Sequence, residues 1–569
     1  MNPKLTFLCF LVAALSLAST CFGQSDDAKI SVQFVDTSGH RVNPAVALFF
    51  NGGRAKPITI ENGIGVAPSD SGIVVAKADG FQFSGSIVDG NEIKVVFHRD
   101  DEPCKPLTQT PYPLNDEIKA KVVETTKRIL WEKVEGQPAS SMKTIQTLRV
   151  LAVVDPARAL KWLDENEPPD QMGGMIQQPA LTALVHVDPE EAFDRCSQIK
   201  DPMQKSAMLM FLLEALDPED PAVPVLEAQW METTRTVKQP AMRLTMRSAI
   251  GEYFQIRDRP ELVNKIVQQH IEEVKKLPSA GWSAFPRSLF AALVVEEDPE
   301  LAEELIKGNR DQNESNRAHA RVAFSCCRTN PELATKLLSL CEHAENTISV
   351  WDEPIKVCHR MAVQQPEAAR KLAGSIDELN QRSWALGLMA MKLSDSNPTL
   401  AKELLAEAIE LLSEPEAHDQ QWFPVGGTLA GLLPIAQKVD PTKVQPLMWQ
   451  AVFEILPRTR WVQGTSNKIK IQSVAGAIAR YDVELGRALV GKSQFELGNI
   501  FAESAVRQAL LDPSRIVTHT EKVCSLDAVQ RNHMMDKLAD FVTQNENAFW
   551  NSISKPESLN WPTRKFEDF

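Results

Sequence analysis

Two grammars of apolar and polar residues divide this chain of 569 residues. Between residues 28 and 100 the two kinds alternate. Lys29-Ile-Ser-Val-Gln-Phe-Val35 places every second side chain on one side, the pattern of a half-buried strand. Asp36-Thr-Ser-Gly39 follows as a turn. Val46-Ala-Leu-Phe-Phe50, Ile58-Thr-Ile60, Gly72-Ile-Val-Val-Ala76 and Ile93-Lys-Val-Val-Phe97 continue at short, turn-bounded spacing. This spacing predicts a small antiparallel β-sandwich over 28–100. From about Ile118 to about residue 545 the apolar residues recur at helical spacing instead.

One phrase marks where many of those helices begin. It stands as Glu296-Glu-Asp-Pro-Glu-Leu-Ala-Glu-Glu-Leu-Ile306 and again as Arg328-Thr-Asn-Pro-Glu-Leu-Ala-Thr-Lys-Leu-Leu338. Asp298 and Asn330 suit the N-cap, where a side-chain oxygen accepts from a free amide of the first turn. Pro299 and Pro331 fall at the first helical position, where a missing N–H loses nothing. Leu301, Ala302, Leu305 and Ile306 then share one face. Further copies begin at Asp155, Asp188, Gln365, Asn397, Asp440 and Asp512, with degenerate ones at Asp258-Arg-Pro260 and Tyr481-Asp-Val-Glu-Leu485. The gap between 188 and 258 has room for one more, at Asp217-Pro218. Most copies follow a second apolar helix, such as Ser383-Trp-Ala-Leu-Gly-Leu-Met-Ala-Met391. Two helices per unit of roughly 35–40 residues predict an α-solenoid of stacked hairpins. A single helix of roughly 10–12 residues is marginal in water, so each must lean on its neighbours.

The expected fold is therefore mainly α: a solenoid of helical hairpin repeats at 118–545, preceded by a small all-β sandwich. Residues 101–117, with four prolines, read as a linker, and 546–569 as a tail or final cap. Val35-Asp-Thr-Ser-Gly39, Val42-Asn-Pro-Ala-Val-Ala-Leu48 and Ala76-Lys-Ala-Asp-Gly80-Phe81 together resemble the transthyretin-like, carboxypeptidase-regulatory-like sandwiches of exported bacterial proteins. That resemblance implies a spacer or adhesive module rather than a catalyst. The helical array is similar to the tetratricopeptide and HEAT-like superfamilies in unit length and small-residue usage. It lacks the Trp…Leu-Gly…Tyr signature of the first.

The ends and the composition add a compartment. Lys4 followed by the apolar run Leu5 to Ala18 reads as an export signal covering residues 1–23, cleaved after Gly23 or, alternatively, after Thr20. The expected location is secreted or periplasmic. No later stretch is apolar for the roughly 18 residues a membrane span needs. A formal net charge of −14 disfavours wrapping nucleic acid, whose phosphates are bound mainly by Lys and Arg. Removing the signal leaves seven of the nine cysteines, too few and too odd in number for a disulfide framework. Their simplest reading is as small buried hydrophobes. Cys341 and Cys358, on consecutive predicted helices, are the pair to test for a disulfide.

Motifs that carry chemistry are scarce. Gly486-Arg-Ala-Leu-Val-Gly491-Lys492-Ser493 satisfies the phosphate-loop pattern, yet that loop needs a preceding strand, and this one sits in a capped-helix slot. Cys341, His343, Cys358 and His359 are metal-ligand types at the wrong spacing, because adjacent helical residues diverge by about 100°. Cys326-Cys327 reads as packed between helices. Trp131, Trp162, Trp230, Trp384 and Trp449 read as core. His418, Asp419 and Trp422, in a longer inter-helix loop, form the polar cluster a site would most readily use. No catalytic, cofactor-binding or metal-ligating residue is assigned, and no cofactor is expected. The expected function is that of an exported, non-enzymatic scaffold whose repeat groove holds a protein or peptide partner. The alternative is a cell-envelope enzyme acting on polysaccharide, built on an αα toroid.

Overall fold

The first segment forms eight strands, and alternation is clearest in the last, Glu92–Phe97, which buries every second side chain. A computed structural model describes residues 30–107 and 116–490, apart from short internal stretches and the longer ones 342–352, 418–424 and 457–473, together with Glu521. The strands are β1 (Ile30–Asp36), β2 (Val46–Phe50), β3 (Lys56–Pro57), β4 (Ile60–Glu61), β5 (Ile64–Ala67), β6 (Ser71–Lys77), β7 (Ser84–Asp89) and β8 (Glu92–Phe97). They form two four-stranded sheets, ordered β4-β5-β1-β8 and β3-β2-β6-β7. Neighbours are antiparallel except β1 and β8, which run parallel from Ser31 beside Glu92 to Asp36 beside Phe97. Ile30, Val32, Phe34, Phe49, Val74, Val95 and Phe97 fill the space between the sheets.

Local chemistry sets the turns. The Asp36 carboxylate accepts from the Ser38 and His40 amides at 2.9 and 2.8 Å, and Gly39 takes a φ of +84°. Between β4 and β5, Asn62 and Gly63 both have positive φ, the requirement of a tight two-residue hairpin turn.

The helical remainder is a two-layer stack. One layer holds the even-numbered helices α2 (Met142–Val154), α4 (Asp170–Leu184), α6 (Pro202–Ala215), α8 (Pro240–Ile256), α10 (Ala284–Val294), α12 (Gln312–Cys326), α14 (Glu353–Met361), α16 (Leu379–Leu393) and α18 (Val425–Val439). The other holds α1 (Asp116–Val134), α3 (Pro156–Asn166), α5 (Pro189–Gln198), α7 (Val223–Arg235), α9 (Pro260–Lys275), α11 (Pro299–Ile306), α13 (Pro331–Ser339), α15 (Pro366–Gly374), α17 (Pro398–Leu411) and α19 (Val444–Ile455). A last described helix, α20, spans Val483–Val490.

Helix starts follow the repeated phrase. Asp188, Asp298, Asn330, Asn397 and Asp482 each accept from the amide three residues on, at 3.2, 3.0, 3.0, 3.2 and 2.9 Å. Asp440 bonds the Thr442 amide at 3.3 Å and opens a short 3-10 turn ahead of α19. Asp201-Pro202 opens α6 in the same way, so the phrase also serves the even layer. Elsewhere the expectation fails. Gln365 and Arg259 make no side-chain cap. Around Asp217 the helix starts only at Val223, since Asp217 and Asp220 first tie two turns through the Glu219 and Ala222 amides. The copy at Asp512 lies outside the described residues.

Helix ends are held by a device that the phrase does not announce. Lys205, Arg243, Arg287 and Arg382 each occupy the fourth position of an even helix. Each donates to carbonyls at the C-terminal end of the odd helix before it: Lys205 to Ser197 at 2.9 Å, Arg243 to Val237 at 2.9 Å, and Arg382 twice to Ile376 at 2.9 and 2.7 Å. Arg287 reaches two odd helices, bonding Lys275 and Leu277 behind it and Glu304 and Leu305 ahead. The last carbonyls of a helix lack intrahelical partners and carry its negative pole, so a cation there is doubly favoured.

The two layers pack unequally. Consecutive even helices lie side by side from α2 to α6 and from α8 to α18. Among odd helices only α13 and α15 approach each other closely. The even helices therefore form the more closely packed layer of the array. Their apolar residues are correspondingly spread round the helix. In each of α16 and α18 eleven of the fifteen residues are buried.

The sandwich docks on the far end of the array. Phe50, Ile73 and Val75, on the outer face of the β2–β6 sheet, join the helical core, and β6 and β7 pack on α19 and α20. The Phe83 and Phe453 rings lie 5.2 Å apart. Gly85 abuts Trp449 so closely that an added Cβ would lie 2.5 Å from its ring. At the other end of the chain, Arg128 on α1 meets Glu521 at 3.1 Å.

Substitutions at two positions test these contacts. Arg287→Ala is expected to cost about 1.5–3 kcal/mol, and Arg287→Lys to recover only part of it because an ammonium cannot fork across two helix ends. Chemical denaturation of the three proteins measures both. Gly85→Val is expected to destabilise by about 1–3 kcal/mol through overpacking and to expose the linker, read out as faster proteolysis between the sandwich and α1.

Candidate functional site

Odd helices stand apart, and long charged side chains cross several of the gaps between them. Asp164 meets Arg195 at 2.9 Å, Glu227 meets Arg259 at 2.8 Å, Glu303 meets Lys336 at 2.7 Å, and Arg370 meets Glu407 at 2.6 Å. Most of these pairs are solvent-exposed, so each contributes little to stability. Their role is to fill spacing that shorter side chains would leave open.

The gap between α1 and α3 is built differently. It holds a cleft of about 350 Å³, lined at the end of α1 by Trp131 and Val134, at the following turn by Glu135 to Gln137, and along α3 by Arg158, Lys161, Trp162, Glu165 and Asn166. Trp131 is 5% exposed, and its indole N–H donates to Asp155 at 2.9 Å. Asp155 occupies the capping slot of the repeated phrase, yet its carboxylate holds the tryptophan instead of the helix start. Arg158 stacks over the Trp131 ring, 4.2 Å from its centroid. Its charge faces Glu135 at 3.9 Å, and Lys161 faces Glu165 at 3.8 Å. Neither pair closes to hydrogen-bonding distance.

A second group of chemically capable side chains is buried where α12 meets α14. Cys326, Cys327 and Cys358 are fully buried, and His359 is 4% exposed. Burial raises the thiol of Cys326 to about 12, with Cys327 adding to the effect, and that of Cys327 to about 11. Cys358 is pushed up as well, by burial first and then by Cys327. Thiols held this far above neutrality are inert nucleophiles. Burial, reinforced by the positive charge of Lys392, pulls His359 down to about 4. Arg360 stacks over the Phe324 ring at 4.5 Å, and Arg321 over Phe285 at 5.1 Å. These cations knit successive even helices together.

The residues singled out from sequence fall in several places. His418, Asp419 and Trp422 lie outside the described residues, as do His343, Lys492 and Ser493. Gly486 to Val490, the described part of the phosphate-loop match, is helix α20. Cys341 and Cys358 are not joined, and both are free thiols. The Cys341 sulfur donates to the carbonyls of Asn316 and Leu337, at 3.5 and 3.7 Å, while Cys358 is buried near Cys327. Trp131, Trp230, Trp384 and Trp449 are buried, but Trp162 is half-buried at the cleft. Among the described residues no group of three or more His, Cys, Asp and Glu is placed to hold a metal ion, and no helix is long and apolar enough to cross a membrane.

No protein-family model matches the chain, and no curated protein or solved structure does either. The site therefore has to be read from its own geometry.

His359 makes stability depend on pH. Above its ordinary value of 6.5 the side chain is neutral whether folded or unfolded. As pH falls from 6.5 towards 4, the unfolded chain takes up a proton that the folded chain refuses. Stability is therefore lost across that window, by up to about 1.4 kcal/mol per pH unit. Denaturation midpoints between pH 6.5 and 4 are expected to fall more steeply for the native chain than for His359→Gln. Equal slopes would assign the dependence to other groups.

Proposed function

We propose that the protein is an exported scaffold whose αα array holds a protein or peptide partner along its even layer. The observation that carries this reading is the unequal packing of the two layers. It brings the even helices side by side into one extended layer, and stacked repeats characteristically offer such layers to polypeptides. The apolar run from Leu5 to Ala18 supports export to the periplasm or the medium. The sandwich, with its likeness to transthyretin-like modules, acts in this reading as a clasp and spacer. The array is the tetratricopeptide- or HEAT-like element that makes the contact. The step from architecture to partner is an analogy of fold.

The meeting of Arg128 with Glu521 favours a second reading, a cell-envelope enzyme acting on polysaccharide within a closed αα toroid.

The two readings separate in one set of measurements. Immobilised mature protein is expected to retain a partner from envelope extract. The purified partner should then bind directly and slow hydrogen exchange in peptides of the even helices. Protection confined to the odd helices would overturn the scaffold reading. So would an absence of any retained protein, together with release of new reducing ends from a polysaccharide panel, and that result would establish the enzyme.

A further inference from the structure

We infer that the cleft between α1 and α3 is a binding site for an uncharged oligosaccharide. The inference is independent of the scaffold reading, since it concerns the odd layer and a different class of ligand.

The first ground is that the site departs from the rule of its own repeat. Where another described Asp or Asn fills the capping slot ahead of an odd helix, at 188, 298, 330, 397 and 440, its side chain bonds a first-turn amide. Asp155 gives up that bond to fix the Trp131 indole. Losing a cap costs about 1 kcal/mol, and the charge-assisted bond to the indole replaces it. The same gap that ion pairs fill elsewhere is here an open space of about 350 Å³, at the lower end of the range for small-molecule sites.

The second ground is the chemistry of the lining. A ligand carrying net negative charge would meet Glu135 and Glu165, which are 73% and 60% exposed. A cationic ligand would meet Arg158 and Lys161, 54% and 74% exposed. The two charges of each sign cancel, so the cleft favours a ligand with many polar groups and no net charge. The Arg158 guanidinium offers two donors side by side, the Glu135 carboxylate two acceptors, and the Gln137 carboxamide one of each. Vicinal hydroxyls of a pyranose match that spacing. Trp162, half-buried at the cleft, supplies an apolar ring against which the C–H face of a sugar stacks. Hydroxyls that both donate and accept can complete the Arg158–Glu135 and Lys161–Glu165 pairs, which stand just beyond hydrogen-bonding distance.

The test is calorimetric titration of the full-length mature protein with neutral hexaoses of glucose, xylose, mannose and N-acetylglucosamine. At least one is expected to bind. Glu135→Gln, in an exposed turn, and Trp162→Ala are each expected to weaken that binding by roughly tenfold or more. Circular dichroism of Glu135→Gln should match the native chain, which keeps the test meaningful if Trp162→Ala fails to fold. Absence of binding by every hexaose at about 10 mM overturns the proposal. So does binding that Glu135→Gln leaves unchanged, or a cleft that takes charged or peptide ligands instead.

Discussion

A short helix has two ends, and this architecture depends on satisfying both. Many of the described helices run from eight to fifteen residues, and unpaired amides and carbonyls make up a large share of the backbone of each. The amide end is met from within the repeat, by Asp or Asn followed by Pro. The carbonyl end is met from the next helix, by Lys205, Arg243, Arg287 or Arg382 at a fixed position. One side chain thus fixes where a helix stops and how its successor approaches. Arg287 joins three helices at once. Apolar packing supplies the bulk of the attraction between hairpins, and the polar ends set their register.

Much of this was legible in the sequence, and the parts that were not have physical reasons. The strand pattern and the capping phrase are periodic in residue type, so they stand out in a single chain. Apolar residues along Gly72-Ile-Val-Val-Ala76 lie at successive positions, and β6 is in fact covered on both faces, by the opposite sheet and by α19 and α20. The Lys and Arg clamps share a fixed position on four of the even helices, but a lone Lys or Arg looks like any surface residue until the helix start is known. Asp217 and Asp155 show the converse. Both match the phrase, yet Asp217 is diverted into a local turn by the Glu219 amide, and Asp155 to an indole 24 residues away that local patterning does not contain.

The candidate cleft was less legible than the fold. Its tryptophans and Arg158 lie within 32 residues in two helical segments, where the ordinary expectation for Trp is a place in the core. That expectation holds for Trp131 and fails for Trp162, because the difference is made by the width of the gap between α1 and α3. The thiols show a similar limit. Cys341 and Cys358 are close in sequence, but Cys341 sits past the end of α13 with its sulfur turned to α12, whereas Cys358 faces inward from α14.

The docked sandwich bears on how the chain comes to be folded. In a linear array of hairpins the terminal units fray first, because each has a neighbour on one side only. Here the earliest part of the chain, the sandwich, rests on α19 and α20, hundreds of residues later. Such distant contacts form late and slowly, since a long loop must close before they are rewarded. During synthesis the outer face of the β2–β6 sheet, with Phe50, Ile73 and Val75, must therefore wait without its cover until the last hairpins emerge. The array can assemble stepwise behind it, but this contact forms only when the sandwich meets α19 and α20.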